Sequence, residues 1–247
     1  MSAEVATPSW IPAYLAVRER EGRLYPDAIV ELLPHVPAGH PLENEWRQRA
    51  DSSDRLRAYL AAVSRRGRPL RVVDVGSGNG WLAHRIAGLP GSEVVGLEAN
   101  DVELAQARRV FGGRPGLRFS SGDMLTAPSP LDGATVVVLA SVIQYAADLP
   151  ALLRRLLGWL APEGELHVLD SPLYRPGELA GARERTRGYY AQLGVPEMAE
   201  AYHQHTWSAL DGFAAEVRYR PDAWLRRLER RVLGRVRSPF PWIRIRP

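Results

Sequence analysis

Between Leu70 and Asp170, short β-branched runs alternate with segments whose apolar residues recur every three or four positions. Leu70–Val75, Glu93–Glu98, Leu117–Ser120, Ala134–Leu139 and Glu165–Asp170 read as strands. Gly80–Ala87, Asp101–Phe111 and Leu149–Leu160 read as helices, with Asp101 near the cap of the second. Pro162-Glu163-Gly164 reads as a turn. Strands alternating with helices predict an α/β chain with a doubly wound, mostly parallel sheet.

The flanks are less regular. Residues 1–69 are predicted to form a helical N-terminal cap or lid, with helices over Ile11–Glu21, Pro26–Leu33 and Glu43–Arg65. After Asp170, Gly177–Leu193 is predicted helical, Ala214–Arg220 and Trp242–Arg246 alternate like strands, and Pro221–Leu233 reads as a helix opened by proline. The domain proper is expected over 70–247.

Composition removes several chemistries. The 247 residues contain no cysteine, which excludes disulfides, thiolate metal sites and a cysteine nucleophile. All 32 basic residues are arginine, so no lysine is present to form a Schiff base. The formal charge of +4 is too modest to argue for nucleic acid by itself. No apolar run reaches membrane-spanning length, and the N-terminus lacks a signal-peptide pattern; the expected location is cytoplasmic.

The richest stretch is Val72-Val73-Asp74-Val75-Gly76-Ser77-Gly78-Asn79-Gly80-Trp81-Leu82-Ala83. A buried strand carries an acid, then three glycines at alternate positions, then a helix. Glycine lets the backbone turn tightly and approach a ligand, and the helix start offers free N–H groups. The nicotinamide fingerprint fits poorly: a start at Gly76 meets Trp81 where glycine or alanine is needed, and a start at Gly78 leaves Asp74 unexplained. Glu98, at the carboxyl end of the next strand, suits the two hydroxyls of a ribose, a feature that both NAD and S-adenosylmethionine share.

Asp74-x-Gly76-x-Gly78-x-Gly80 resembles the first motif of the class I S-adenosylmethionine-dependent methyltransferases. The resemblance spans about residues 70–170. It implies a Rossmann-like seven-stranded sheet with an antiparallel last strand and S-adenosylmethionine as cofactor. Ser121-Gly122-Asp123-Met124 resembles the family element in which a carboxylate accepts from the adenine amine. Met124 would add its N–H, and Ala99 and Leu125 stand as adenine-pocket walls or as core packing. The implied cofactor set is Asp74, Gly76, Ser77, Gly78, Gly80, Glu98, Ala99, Asp123, Met124, Ala140 and Ser141.

The segment Leu139–Tyr145 would face the transferring methyl. It lacks the Asn/Asp-Pro-Pro-aromatic tetrapeptide of enzymes that methylate amino groups on DNA, which points to the small-molecule branch. The expected acceptor is a small or lipid-like organic molecule, not DNA, with RNA disfavoured. Transfer to a hydroxyl or an acidic carbon needs a base. His203 and His205 in segment 172–213, expected to line the acceptor pocket, are candidates for catalysis, with packing and metal binding as the other readings. Tyr145 either shapes the pocket or takes the proton. No metal site is expected. Eight arginines between Arg226 and Arg246 form either a solvated helix face or a membrane-surface contact. Two alternatives remain at this stage: an NAD(P)-dependent oxidoreductase and a non-catalytic S-adenosylmethionine-binding module.

Overall fold

The computed structural model describes residues 8–221 and 236–247. The predicted helix Pro221–Leu233 and most of the arginine-rich tail lie outside the described residues. Seven strands form one sheet in the order β3-β2-β1-β4-β5-β7-β6. They are β1 (Leu70–Val75), β2 (Ser92–Glu98), β3 (Leu117–Ser121), β4 (Ala134–Ala140), β5 (Leu160–Leu169), β6 (Ala214–Tyr219) and β7 (Trp242–Arg246). The first five pair in parallel, and β7 runs antiparallel to both β5 and β6. The expected sheet, with its reversed last strand, is therefore present.

Side chains on a strand alternate between the two faces, and the core divides accordingly. Val72, Val94, Val136 and Val138 pack on one side with the helices α3 (Glu43–Ser64), α4 (Trp81–Ile86) and α5 (Asp101–Phe111). Val73, Val75, Val95, Leu97 and Val137 pack on the other with α6 (Leu149–Leu157). The amphipathic α6 buries Leu149, Leu152, Leu153 and Leu156, and the Asp148 carboxylate caps it by accepting from the Ala151 N–H at 2.9 Å. Asn100 caps α5 by accepting from the Val102 N–H at 3.1 Å, and Asp101, the first helical residue, follows it as expected.

The expected turn at Pro162–Gly164 is an irregularity within β5. There the register against β4 jumps from Ala134↔Leu160 to Val136↔Glu165. Below it, Glu165 gathers hydrogen bonds from Tyr59, Arg244 and Arg246. Burial pushes its carboxyl up, but His167, Tyr59 and Arg246 outweigh that and hold it well below the usual range. His167, fully buried, accepts from the Trp242 indole at 3.1 Å; it is a packing residue.

Of the first 69 residues, α2 (Asp27–Val30) and α3 join the main core through Val30, Trp46, Leu56 and Leu60. The first helix, α1 (Ile11–Arg20), behaves differently. Its Val17 forms a small separate core with Tyr190, Val195 and Met198 of α7 (Leu179–Gln192), α8 (Met198–Ala201) and the loop between them. Together these pieces stand over the carboxyl ends of the strands, where open α/β sheets bind ligands.

Candidate cofactor and acceptor site

The glycine turn is built from three left-handed residues, Gly76, Gly78 and Gly80, with φ of 66°, 55° and 82°. Gly76 and Ser77 both donate their N–H to the Leu97 carbonyl, at 2.8 and 3.1 Å. Gly80 donates to the Ser77 carbonyl at 3.0 Å and starts α4. A Cβ at Gly80 would lie 2.6 Å from the Phe119 ring, so the turn is packed tightly against the sheet. A Cβ at Gly78 would meet nothing nearer than the Glu103 carboxylate at 3.7 Å; this face of the turn looks into a cavity.

Glu98 binds the turn from β2. It accepts the Gly78 N–H at 2.7 Å and the Asn100 N–H at 2.8 Å, one on each oxygen. Each carboxylate oxygen keeps acceptor capacity for a ribose hydroxyl. Burial, then the charge of Glu103, pushes Glu98 up to about 7 against the pull of these N–H groups. Asp74 is likewise pushed up to about 7, by burial first and by Glu98 second.

A cavity of about 450 Å³ opens above the turn. Of the residues predicted from sequence, Gly76, Ser77, Gly78, Glu98, Ala99, Asp123, Met124, Ala140, Ser141 and Tyr145 line it. Asp74 and Gly80 do not. Asp74 shares its strand face with Val72 and takes a backbone N–H from Ala83, so it braces the turn from beneath. Leu125 is exposed and does not line the cavity.

The structure separates the two histidines from the cavity. His205 is buried, and its Nε2 donates to the Ile143 carbonyl at 3.0 Å. His203 uses its backbone N–H on the Gln144 carbonyl at 2.7 Å. Neither ring lines the cavity, and burial pushes both below the usual histidine range. Their segment is pinned by the Tyr174↔Thr206 bridge, which leaves Tyr202, not its histidine neighbours, facing the cavity. The Ile143 carbonyl also accepts from the Ala146 N–H at 3.1 Å, so replacing His205 by alanine should cost only ~1 kcal/mol of stability, the net worth of one hydrogen bond, and leave the affinity for S-adenosylhomocysteine unchanged. A melting curve beside a ligand titration checks this; weaker binding without destabilisation would return His205 to the site.

Tyr145 does reach the cavity. Trp10 stacks on it at 4.8 Å between ring centroids, and burial drives its hydroxyl up to about 12. The sequence reading missed the α1 face that carries Trp10, Tyr14 and Arg18, although their four-residue spacing could have shown it. Tyr14 donates to Glu103 at 3.2 Å, and Arg18 approaches the same carboxylate at 3.6 Å. Arg49 lines the cavity, paired with Glu45 at 3.1 Å. Among the described residues no cluster suited to a metal ion occurs.

The cavity fits an adenosyl ligand on its own polar atoms. Glu98 and Asp123 stand at its wall on adjacent strand ends, and Gly78, without a side chain, opens onto it. Residues 72–164 match the family model described as a methyltransferase domain. The glycine turn and the sheet around it resemble those of the class I S-adenosylmethionine-dependent methyltransferases. Acetylserotonin O-methyltransferase of Mus musculus is 39% identical over 150 residues, covering 51% of this chain and 38% of that enzyme. Trans-aconitate 2-methyltransferase of Methylobacterium radiotolerans is 32% identical over 155 residues, covering 60% and 57%. The chain thus spans less than two thirds of these relatives' own lengths. Magnesium protoporphyrin IX methyltransferase of Synechocystis PCC 6803, solved with bound SAH, shares the fold at a TM-score of 0.57 with 15% identity, covering 93% of this chain and 94% of that one. The matched segment favours S-adenosylmethionine over a nicotinamide as the ligand of this cavity.

Proposed function

We propose that the protein transfers a methyl group from S-adenosylmethionine to an oxygen, nitrogen or carbon of a small or medium organic acceptor. The observation that carries this reading is one cavity, walled on one side by the glycine turn with Glu98 and Asp123, and on the other by Ser141, Gln144, Tyr145 and Tyr202. Two of its relatives are named for small-molecule acceptors, acetylserotonin and trans-aconitate.

When bound, S-adenosylmethionine supplies a methyl group activated by sulfonium charge, open to in-line displacement. The chain's own work is to hold two reactants in line and keep water out. Glu98 would receive the ribose hydroxyls and Asp123 the adenine amine, with Met124 and Ala99 against the ring. Gly78, without a side chain, lets the backbone approach. Ser141 sits at φ 60° after β4, a conformation a non-glycine residue adopts at a cost of order 1–3 kcal/mol. That bend turns the chain into the 3-10 turn Ile143–Tyr145 at the cavity wall. The Trp10–Tyr145 stack and the Tyr14–Glu103 hydrogen bond draw α1 over the site, which sequesters the reacting groups.

The test is transfer of label from methyl-tritiated S-adenosylmethionine into small organic acceptors, with stoichiometric release of S-adenosylhomocysteine. Binding without turnover on any acceptor would reduce the protein to a cofactor-binding module.

A further inference from the structure

A second chamber, about 540 Å³, opens beside the first and shares Glu45, Arg49, Ser141, Gln144, Tyr174 and Tyr202 with it. It lies away from the glycine turn, at the carboxyl ends of β4 and β5, and Asp170 and Phe240 enter its wall. We propose that this chamber seats the acceptor, that the acceptor presents a hydroxyl or amine, and that Gln144 and Asp170 receive its hydrogens. The proposal deepens the methyltransferase reading and rests on it.

Two observations carry it. Gln144 is buried, at 6% exposure, on the wall common to both chambers. Its Nε2 donates to the Ser141 carbonyl at 2.7 Å, which fixes which way the amide points. Its Oε1 is left buried with no partner. A buried orphan acceptor is costly unless a ligand's donor completes it.

Asp170 is the second. It is held in a left-handed conformation, φ 49°, just past β5. Ser52 donates to Oδ2 at 2.7 Å and Ser238 donates to Oδ1 at 3.1 Å. Both oxygens accept, as an ionised carboxylate does, and both keep lone pairs. The charged neighbours are on α3 and the C-terminal segment. Arg49 favours the ionised form and is itself paired with Glu45. Asp51 opposes it and is neutralised by Arg55 and Arg237. Burial dominates and pushes Asp170 above the usual carboxylate range, which makes it a better proton acceptor.

This wall selects by chemistry. A carboxylate acceptor would set its charge against Asp170 and its lone pairs against Gln144 Oε1. A hydroxyl or amine satisfies both. The acceptor's oxygen or nitrogen bonds the methyl carbon as the carbon–sulfur bond breaks and its electron pair stays on sulfur. The proton leaving the acceptor passes to Asp170 and from there to solvent.

The test begins with the protein saturated by S-adenosylhomocysteine, titrated calorimetrically with matched phenol, aniline and benzoate probes, and continues with turnover on labelled S-adenosylmethionine. Phenols or anilines should bind and be methylated in preference to benzoates. Asp170→Asn should lower kcat by ~100-fold or more and remove the acid limb of its pH profile, with S-adenosylhomocysteine affinity kept. Gln144→Leu, which cannot accept a hydrogen bond, should raise the acceptor KM by ~10-fold with a smaller change in kcat. Preference for benzoates, binding of neither class, or full turnover in Asp170→Asn overturns the assignment. If S-adenosylhomocysteine itself does not bind the wild-type protein, the methyltransferase reading has failed instead.

Discussion

Gly80→Ala is expected to destabilise the protein by ~2–4 kcal/mol, the combined cost of a strained backbone and an overpacked contact. The residue lies at φ 82°, and its new methyl group would stand 2.6 Å from Phe119 and 2.9 Å from Ala107. All sides of that contact are core, because Phe119 and Ala107 are buried against β2 and the inner face of α5. Relief would require α4 to move away from the sheet, taking the Ser77–Gly80 turn with it. A melting temperature ~5–15 °C lower should accompany the loss, by the usual scaling for a chain of this size. Gly78→Ala is the informative contrast. Its methyl would meet only Glu103, at 3.7 Å, so the fold should lose little beyond the ~1–2 kcal/mol of the left-handed backbone. Its methyl would instead stand where the ligand approaches, and affinity for S-adenosylhomocysteine should fall further than stability. Equal melting temperatures for Gly80→Ala and wild type would mean that the packing beneath the turn is misjudged.

Glu98→Ala should weaken S-adenosylhomocysteine binding by ~100-fold, equivalent to ~2.7 kcal/mol. The substitution removes the acceptor for Gly78 and Asn100 as well as the seat for a ribose. A pH signature separates this role from simple packing. Glu98 and Asp74 are both pushed up to about 7 in the folded protein, above their ordinary carboxylate values. The folded state then holds more protons than the unfolded one between about pH 4 and 7. Their contribution to stability is complete below the unfolded values and is lost as pH rises through about 7. Ligand binding works in the opposite sense, because the ionised Glu98 accepts hydroxyls better than the protonated acid. Affinity should accordingly fall as pH drops below 7 in wild type, and this dependence should flatten in Glu98→Ala. Calorimetry between pH 5.5 and 8 measures both trends. A wild-type affinity independent of pH would separate Glu98 from the ligand.

The sheet was readable because its strands are short β-branched runs with glycine or proline at their ends, and Leu70–Val75 and Trp242–Arg246 match the structure residue for residue. The glycine turn and Glu98 were readable because local spacing places them together. What could not be read is set by distant packing. Asp74 carries the motif's acid, yet strand alternation turns it beneath the turn, a fact of orientation that spacing does not record. His203 and His205 looked chemical in a segment expected to line the pocket, but one ring is spent on the Ile143 carbonyl and neither reaches the cavity. Glu103 and Gln144 carry no local signature. They matter because α1 folds back to place Tyr14 on one and because the bend at Ser141 buries the other. Ser238, from the far end of the chain, reaches Asp170 only through the reversed strand β7 and the segment before it.

The central claim is that the cavity above the Gly76–Gly80 turn seats the adenosyl ligand of a methyl donor. Calorimetric titration of the wild-type protein with S-adenosylhomocysteine, and separately with NADH, tests it most directly. One molecule of S-adenosylhomocysteine bound per chain, lost in Glu98→Ala, with no heat from NADH, is the predicted result. Saturable NADH binding with none of S-adenosylhomocysteine would contradict it.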